Sequence, residues 1–280
     1  MNQFKKMAYP YVAWISIMIV APMLLIVMYA FIKGSNDVTT FRFTLSNFTK
    51  FFSDKVYIDV LYRSLYIAVF TTILCLLIGY PAAYIISAAN LKNKTWLVLL
   101  ITFPTWINML VRTYAWLGIL QDDGIVNTVL GLFGIGTVKI IYTNFAVILG
   151  MVYNFVPFMI LQIYSSLEKM DKSYMEAASD LGANNFECFW KITFPMSLPG
   201  VISGITLVFL PAVSSFFIPK LLGGGQFVLI GNVIETQFLT AGDWNFGSAI
   251  SLIMAVIIMV SLYITRKIDT DPAAERGGSL

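Results

Sequence analysis

The residues of this 280-residue chain best spaced to act on another molecule gather between Glu168 and Phe194. There Glu176-Ala177-Ala178-Ser179-Asp180-Leu181-Gly182, followed by Phe194-Pro195 and Pro199-Gly200, forms a polar island in an otherwise apolar sequence. The chemistry it offers is hydrogen bonding and shape rather than bond making. Ser173 and Glu176 have the spacing of a capping box: the serine oxygen accepts from the backbone N–H three residues on, and the glutamate reaches back to the serine N–H. Asn184 and Glu187 repeat that spacing. Gly182 stands where a helix calls for a left-handed terminating residue. The expectation is two short helices joined at a glycine, the second running to about Thr193 and stopped by Pro195. In the second helix Phe186, Phe189 and Trp190 share one face at i, i+3, i+4 spacing, suited to the bilayer boundary or the underside of a bundle. Ala177 and Ala178 leave room for a partner surface to approach the first. On these residues alone, an amphipathic connector and a docking element account for the island equally well. Glu176 by itself needs no role beyond capping.

Covalent and metal chemistry find little support. The chain has no histidine, which excludes histidine-based metal sites and acid–base catalysis. Its two cysteines, Cys75 in an apolar run and Cys188 in the island, occupy different environments and read as free thiols. No metal site is expected. A membrane-embedded enzyme would need an intramembrane carboxylate pair or a Ser/Lys or Cys/His constellation, and the sequence offers none. No GxxxxGK[S/T] loop is present, so the chain holds no ATP in the P-loop manner.

The elements that must position the island are membrane helices. Hydrophobic residues make up 58% of the chain and charged ones 12%, against about 25% charged in soluble domains. Runs of roughly 20 apolar residues suffice to cross a bilayer, and they recur near 10–32, 61–89, 96–117, 144–166, 196–219 and 246–265. The first run is too long for a signal-peptide core and reads as an uncleaved span. An all-α protein with six spans places both termini on one side. With the termini inside, Lys5, Lys6, Lys92, Lys94, Lys169, Lys172, Lys191, Arg266, Lys267 and Arg276 face the cytoplasm, a modest excess over the remaining cations. Residues 33–60 are too aromatic for a free linker (Phe41, Phe43, Leu45, Phe48, Phe51, Phe52) and are expected on the membrane surface or over helix ends. Pro81, Pro157, Pro211 and Pro219 interrupt spans, and Gly200 and Gly204 form a GxxxG pair suited to close helix packing. Arg63 and Arg112, near outer span ends, are expected to snorkel or to pair with a loop carboxylate.

The order Glu-Ala-Ala, three residues, Gly182, then a helix ending at Pro195 and Pro199-Gly200 resembles the EAA signature of bacterial ABC-importer permeases. Ser64 to Ala68, Gly79 to Ala83, Pro104 to Trp116 and Tyr164 to Glu168 extend the likeness to the type I permease domain over about residues 61–266. Gly223-Gly224-Gly225, Ile230-Gly231-Asn232 and Asp243 to Gly247 resemble the B-type permeases of spermidine/putrescine importers. The resemblance implies a first segment (1–60), a permease core (61–266) and a cytoplasmic tail (267–280) in the bacterial cytoplasmic membrane. It implies that Glu176, Ala177, Ala178, Asp180, Leu181, Gly182 and Pro199 form the coupling element that docks on a cytoplasmic ATPase. The implied partners are a C-type permease in a heterodimer, two ATP-binding subunits carrying ATP and Mg, an external polyamine-binding protein, and membrane lipid. Nucleic acid is not among them, and this chain needs no cofactor of its own.

A polyamine passage calls for aromatic faces, hydroxyls and amides with few fixed positive charges. Trp106, Asn108, Tyr114, Trp116, Tyr153, Asn154 and Phe155 supply them in the third and fourth spans, although an interfacial aromatic belt and helix packing also account for such residues. Asp122, Asp123, Glu235 and Asp243 are candidates for an acidic outer mouth, or ordinary solvated loop charges. Other small cations and opines are alternative cargoes. A secondary transporter is the alternative class, but neither repeat symmetry nor an intramembrane carboxylate is evident.

Overall fold

Apolar runs of this length become helices because hydrocarbon offers no partner for a backbone N–H or C=O, so each segment satisfies its own. The computed structural model describes residues 2–32, 42–89, 91–171 and 173–269. Phe41, Lys172, Arg276 and most of the tail lie outside the described residues. In chain order the helices are α1 (Asn2–Ala30), α2 (Ser46–Ser53), α3 (Lys55–Ala88), α4 (Leu91–Trp106), α5 (Met109–Leu120), α6 (Ile125–Leu132) and α7 (Asn144–Glu168). There follow α8 (Ser173–Asp180), α9 (Asn185–Cys188), a π-helical turn (Phe189–Thr193), α10 (Phe194–Ser214), α11 (Phe217–Leu222), α12 (Ile230–Thr236), a second π turn (Gln237–Ala241) and α13 (Trp244–Asp269).

Among the described residues five helices are long and apolar enough to cross a membrane. The third expected span differs. Instead of one helix over 96–117, the chain breaks at Ile107–Asn108 and bends by 89° between Asn93–Trp106 and Met109–Leu132. The cause is local: the Asn108 side chain accepts from Leu110 N–H at 2.8 Å and starts a new helix. Counting this bent pair as one span gives six. The fifth span also ends early, at Ser214, and resumes as α11 after Ser215–Phe216.

The chain divides into two units, Met1–Leu61 with Ile230–Met259, and Tyr62–Leu229 with Val260–Leu280. In the first, two asparagines tie down the end of α1. Asn47 donates to the carbonyls of Ala30 and Ile32, and Asn245 to those of Tyr29 and Ile32. Phe31 stacks on Phe43 with ring centroids 5.5 Å apart, so the aromatic first loop packs against a helix end. In the second unit α7 and α10 form the core. An added Cβ at Gly200 would sit 2.5 Å from Ser166 Cβ and 2.7 Å from the Gln162 carbonyl oxygen, and one at Gly204 would sit 2.6 Å from Met159 Sδ. The GxxxG pair therefore seats α10 directly on α7 within the subunit. The Tyr80 and Ser197 hydroxyls, both buried, share a hydrogen bond of 2.8 Å that fixes α3 to α10.

Candidate functional site

The polar island folds as two helices with a glycine hinge. Gly182 has φ +86°. Its N–H bonds the Ser179 carbonyl at 2.9 Å, and the next N–H, of Ala183, reaches back to Ala178 at 3.0 Å. This pair of bonds is a Schellman ending. Asn184 and Glu187 make a complete capping box, with Glu187 N–H donating to Asn184 Oδ1 at 2.9 Å and Asn184 N–H to Glu187 Oε2 at 3.1 Å.

Two details depart from expectation. At the start of α8 the cap is Asp171 rather than the Ser173–Glu176 box: Ser173 N–H donates to Asp171 Oδ1 at 2.9 Å. That backbone bond, with help from the Ser173 side chain, holds the Asp171 carboxyl below the ordinary aspartate range. Glu176 is thereby freed from the capping role and stands exposed. At the far end, Pro195 does not stop the helix. The preceding turn is π-helical, with Phe194 N–H bonding the Phe189 carbonyl five residues back. The widened turn admits a residue with no N–H to give. The result is one helical run from Asn185 to Ser214.

Glu176, Ala177, Asp180, Leu181 and Gly182 are exposed and Ala178 is half-buried. Leu181 is 88% exposed. Pro199 is exposed further along, on α10. The pair is held from behind. Phe189 meets Tyr80 and Tyr84 edge-on at 5.8 and 5.7 Å, and Thr193 Oγ1 lies 3.7 Å from Met175 Sδ. Trp190 leans on Phe194 at 5.3 Å, whereas Phe186 remains exposed. A groove of about 480 Å³ runs between α8 and α9, lined by Met175, Glu176, Ser179, Asp180, Asn185 and Phe189 among others.

Beside it lies a cleft of about 630 Å³ containing an ion pair that the sequence reading did not single out. Lys94 Nζ, at the start of α4, sits 2.8 Å from Glu168 Oε2 at the end of α7. The signal available was two opposite charges at the facing ends of consecutive spans.

The candidate pathway residues separate into two sets. Trp106 and Tyr114 are exposed on either side of the α4–α5 break, and Asn108 is engaged as the cap of α5. On α7, Tyr153 packs edge-on against Trp116 at 5.3 Å, and Asn154 and Phe155 are buried. Asn154 donates to the Gly150 carbonyl at 2.8 Å, while its Oδ1 has no partner among the described residues. Arg112 does not snorkel: it is buried on α5, and its Nε and Nη1 find no partner among the described residues. The cause is its place on the inward face of α5, one turn before Trp116. Asp122 and Asp123 are exposed in the turn after α5. Glu235 on α12 and Asp243 before α13 belong to the other unit. Asp243 Oδ1 caps α13 by accepting from Phe246 N–H at 3.0 Å.

The geometry is that of a membrane helix bundle with an exposed polar helix pair, and comparison with known proteins decides its family. The model of the binding-protein-dependent transport system inner membrane component family matches residues 2–271. The chain belongs to this family. Within it, the chain is 38% identical over 94% of its length to the Haemophilus influenzae spermidine/putrescine transport system permease protein PotB, covering 93% of that protein. It is 38% identical to Escherichia coli PotB over 90% of its length and 93% of that protein. A chain of a bacterial alginate ABC transporter, solved with its alginate-bound periplasmic protein, shares the fold with TM-score 0.80 at 16% identity, covering 96% of this chain and 95% of that one. The MetNI methionine ABC transporter gives TM-score 0.57 at 13% identity, covering 76% of this chain and 94% of that one. The permease is thus an inner membrane transport component with the type I ABC importer transmembrane fold.

Proposed function

We propose that this permease carries linear polyamines, spermidine and putrescine, into the bacterial cytoplasm as the B-type subunit of an ABC importer. The observation that carries the reading is the 38% identity to spermidine/putrescine permeases sustained over nearly the whole chain. Its working partners are a second, C-type permease, two ATP-binding subunits and an external polyamine-binding protein. ATP and Mg bind the ATP-binding subunits. Both termini lie in the cytoplasm.

In this reading α8 is the docking element. Its exposed Glu176, Ala177, Asp180 and Leu181 enter a groove on the ATP-binding subunit, and Gly182 sets the angle at which they do so. Ala177 and Ala178 allow close approach. When ATP closes its subunits, the helix pair moves with them. The helical run from Asn185 to Ser214 spans about 45 Å at 1.5 Å per residue, so a displacement at α9 passes directly into the fifth span. The close contacts of Gly200 and Gly204 then shift α10 together with α7. The spans change from inward-facing to outward-facing, a rigid-body coupling between distant sites. Trp106, Tyr114, Tyr153, Asn154 and Phe155 are the candidates to line the passage.

Uptake of labelled spermidine and putrescine in cells with and without the gene tests the reading, with other organic cations as competitors. Loss of uptake on deletion, restored by the gene, is the expected result. Unchanged polyamine uptake alongside lost uptake of another solute refutes the cargo assignment.

A further inference from the structure

A built arrangement for an alkylammonium group lies in the unit formed by residues 1–61 and 230–259, apart from the helix pair. Lys50, on α2, places its Nζ 4.0 Å from the centroid of the Phe246 ring and 3.7 Å from Asp243 Oδ2. Phe246 is fully buried, so the Lys50 side chain contributes to its cover. The Tyr57 ring meets Phe246 edge-on at 4.9 Å and braces it. An aromatic face and a carboxylate at one ammonium are groups that recognise organic cations.

The carboxylate is held in place before any cargo arrives. Asp243 Oδ1 is committed to capping α13, which leaves Oδ2 aimed at the ammonium. Asn245, two residues on, is bonded to the end of α1 and fixes the start of the same helix. Lys50, by contrast, is loosely held. Its side chain is 52% exposed and that of Asp243 41%, and ion pairs this exposed to water contribute little. The carboxylate is fixed by its cap and its present partner is exchangeable.

We propose that Asp243 and Phe246, the latter backed by Tyr57, form a recognition site for one primary alkylammonium end of the cargo, with Lys50 as a tethered internal competitor. The proposal rests on the polyamine reading above. With both termini in the cytoplasm, as proposed above, these residues lie on the external side, where cargo arrives. Lys50 has the same terminal group as a polyamine, a primary ammonium on a flexible methylene stem. It keeps the carboxylate neutralised when no cargo is present. It leaves when an ammonium is presented at high local concentration, as at the mouth of a docked binding protein.

The test is equilibrium binding of labelled spermidine to the purified, assembled complex in lipid nanodiscs, without the binding protein. Lys50→Ala vacates the site and is expected to tighten binding roughly fivefold to tenfold, the factor set by one exposed ion pair and one cation–π contact. Asp243→Asn keeps the helix cap, because asparagine caps as well as aspartate, but removes the charge. In the double variant the gain from Lys50→Ala should disappear. Lys55→Ala removes a cation five residues away without vacating the site, and should leave affinity within about twofold. Unchanged or weaker binding in Lys50→Ala overturns the proposal. So does an equal gain in Lys55→Ala, or a gain that survives Asp243→Asn. If these results fail while whole-cell polyamine uptake persists, only the site is refuted; absence of uptake refutes the cargo reading itself.

Discussion

Substitution at Gly182 separates backbone conformation from bulk as the determinant of the helix-pair hinge. The residue sits at φ +86°, yet a Cβ added there would meet no heavy atom within 4 Å. The cost of a side chain is therefore conformational, not steric crowding. For an ordinary L residue the left-handed region costs about 1–2 kcal/mol, and asparagine visits it more readily because its short amide bonds locally. Gly182→Ala should then cost about 1 kcal/mol, Gly182→Asn a few tenths, and Gly182→Val about 2 kcal/mol. Since each 1.4 kcal/mol is a factor of ten, valine depletes the correctly turned hinge by about thirtyfold relative to glycine, and asparagine by about twofold. The Schellman bonds from Gly182 and Ala183 would break with the turn. The hinge lies outside the spans, so membrane levels should stay normal in all three variants. Retention of the ATP-binding subunits through purification, measured by stoichiometry, together with polyamine uptake should fall in the order glycine, asparagine, alanine, valine. Equal damage from asparagine and valine would refute the conformational argument, and wild-type stoichiometry in Gly182→Val would remove the docking role.

Three other substitutions probe the frame around the hinge. Gly200→Leu drives a side chain into Ser166 and the Gln162 carbonyl, and should reduce folded protein in the membrane rather than coupling, by about 1–3 kcal/mol or more, read as expression and melting temperature in detergent. Glu168→Gln leaves Lys94 charged and mostly buried, and should destabilise by about 1–3 kcal/mol given the partial exposure of the pair. Lys94→Met with Glu168→Leu should restore most of that loss in the same melting assay. Asp171→Ala should speed amide exchange across residues 173–176 at neutral pH. Because the native Asp171 carboxyl is held low, its cap is fully present above the ordinary aspartate range and fades as pH falls through the lowered value. The wild-type and Asp171→Ala exchange rates should therefore converge only in strong acid; convergence at pH 6 would contradict the cap.

The spans and the hinge were legible because each is a local signal. Apolar length marks a crossing, and Gly182 with the Asn184–Glu187 spacing marks an ending and a restart. What escaped the sequence depended on competition between neighbours or on distant packing. Asp171 and Ser173 both lie at the start of α8, and spacing alone did not reveal which one caps it. Pro195 signals a stop in any α-helix, but the π turn before it is a backbone choice with no residue signature. Hydropathy is blind to direction, so the 89° bend in the third span is invisible in the apolar run, although Asn108 within that run was a usable hint. Arg112 lies near a span end in sequence, and only the inward face of α5 shows that it is buried. The Lys50–Asp243 and Lys94–Glu168 pairs join residues far apart in the chain, which no local pattern announces.

The docking role of the helix pair is the centre of this account, and site-specific photo-crosslinking at Leu181 tests it most directly. Leu181 is 88% exposed at the tip of α8, so a photoreactive residue placed there should fold without disturbing the bundle. In the complex purified from its own membranes, irradiation should join this chain to the ATP-binding subunit, with a yield that changes when ATP is added. A probe at Leu132, also exposed but on α6, should give no such product. Absence of the ATP-binding subunit from the Leu181 product, in a complex that contains that subunit and transports polyamine, would contradict the assignment.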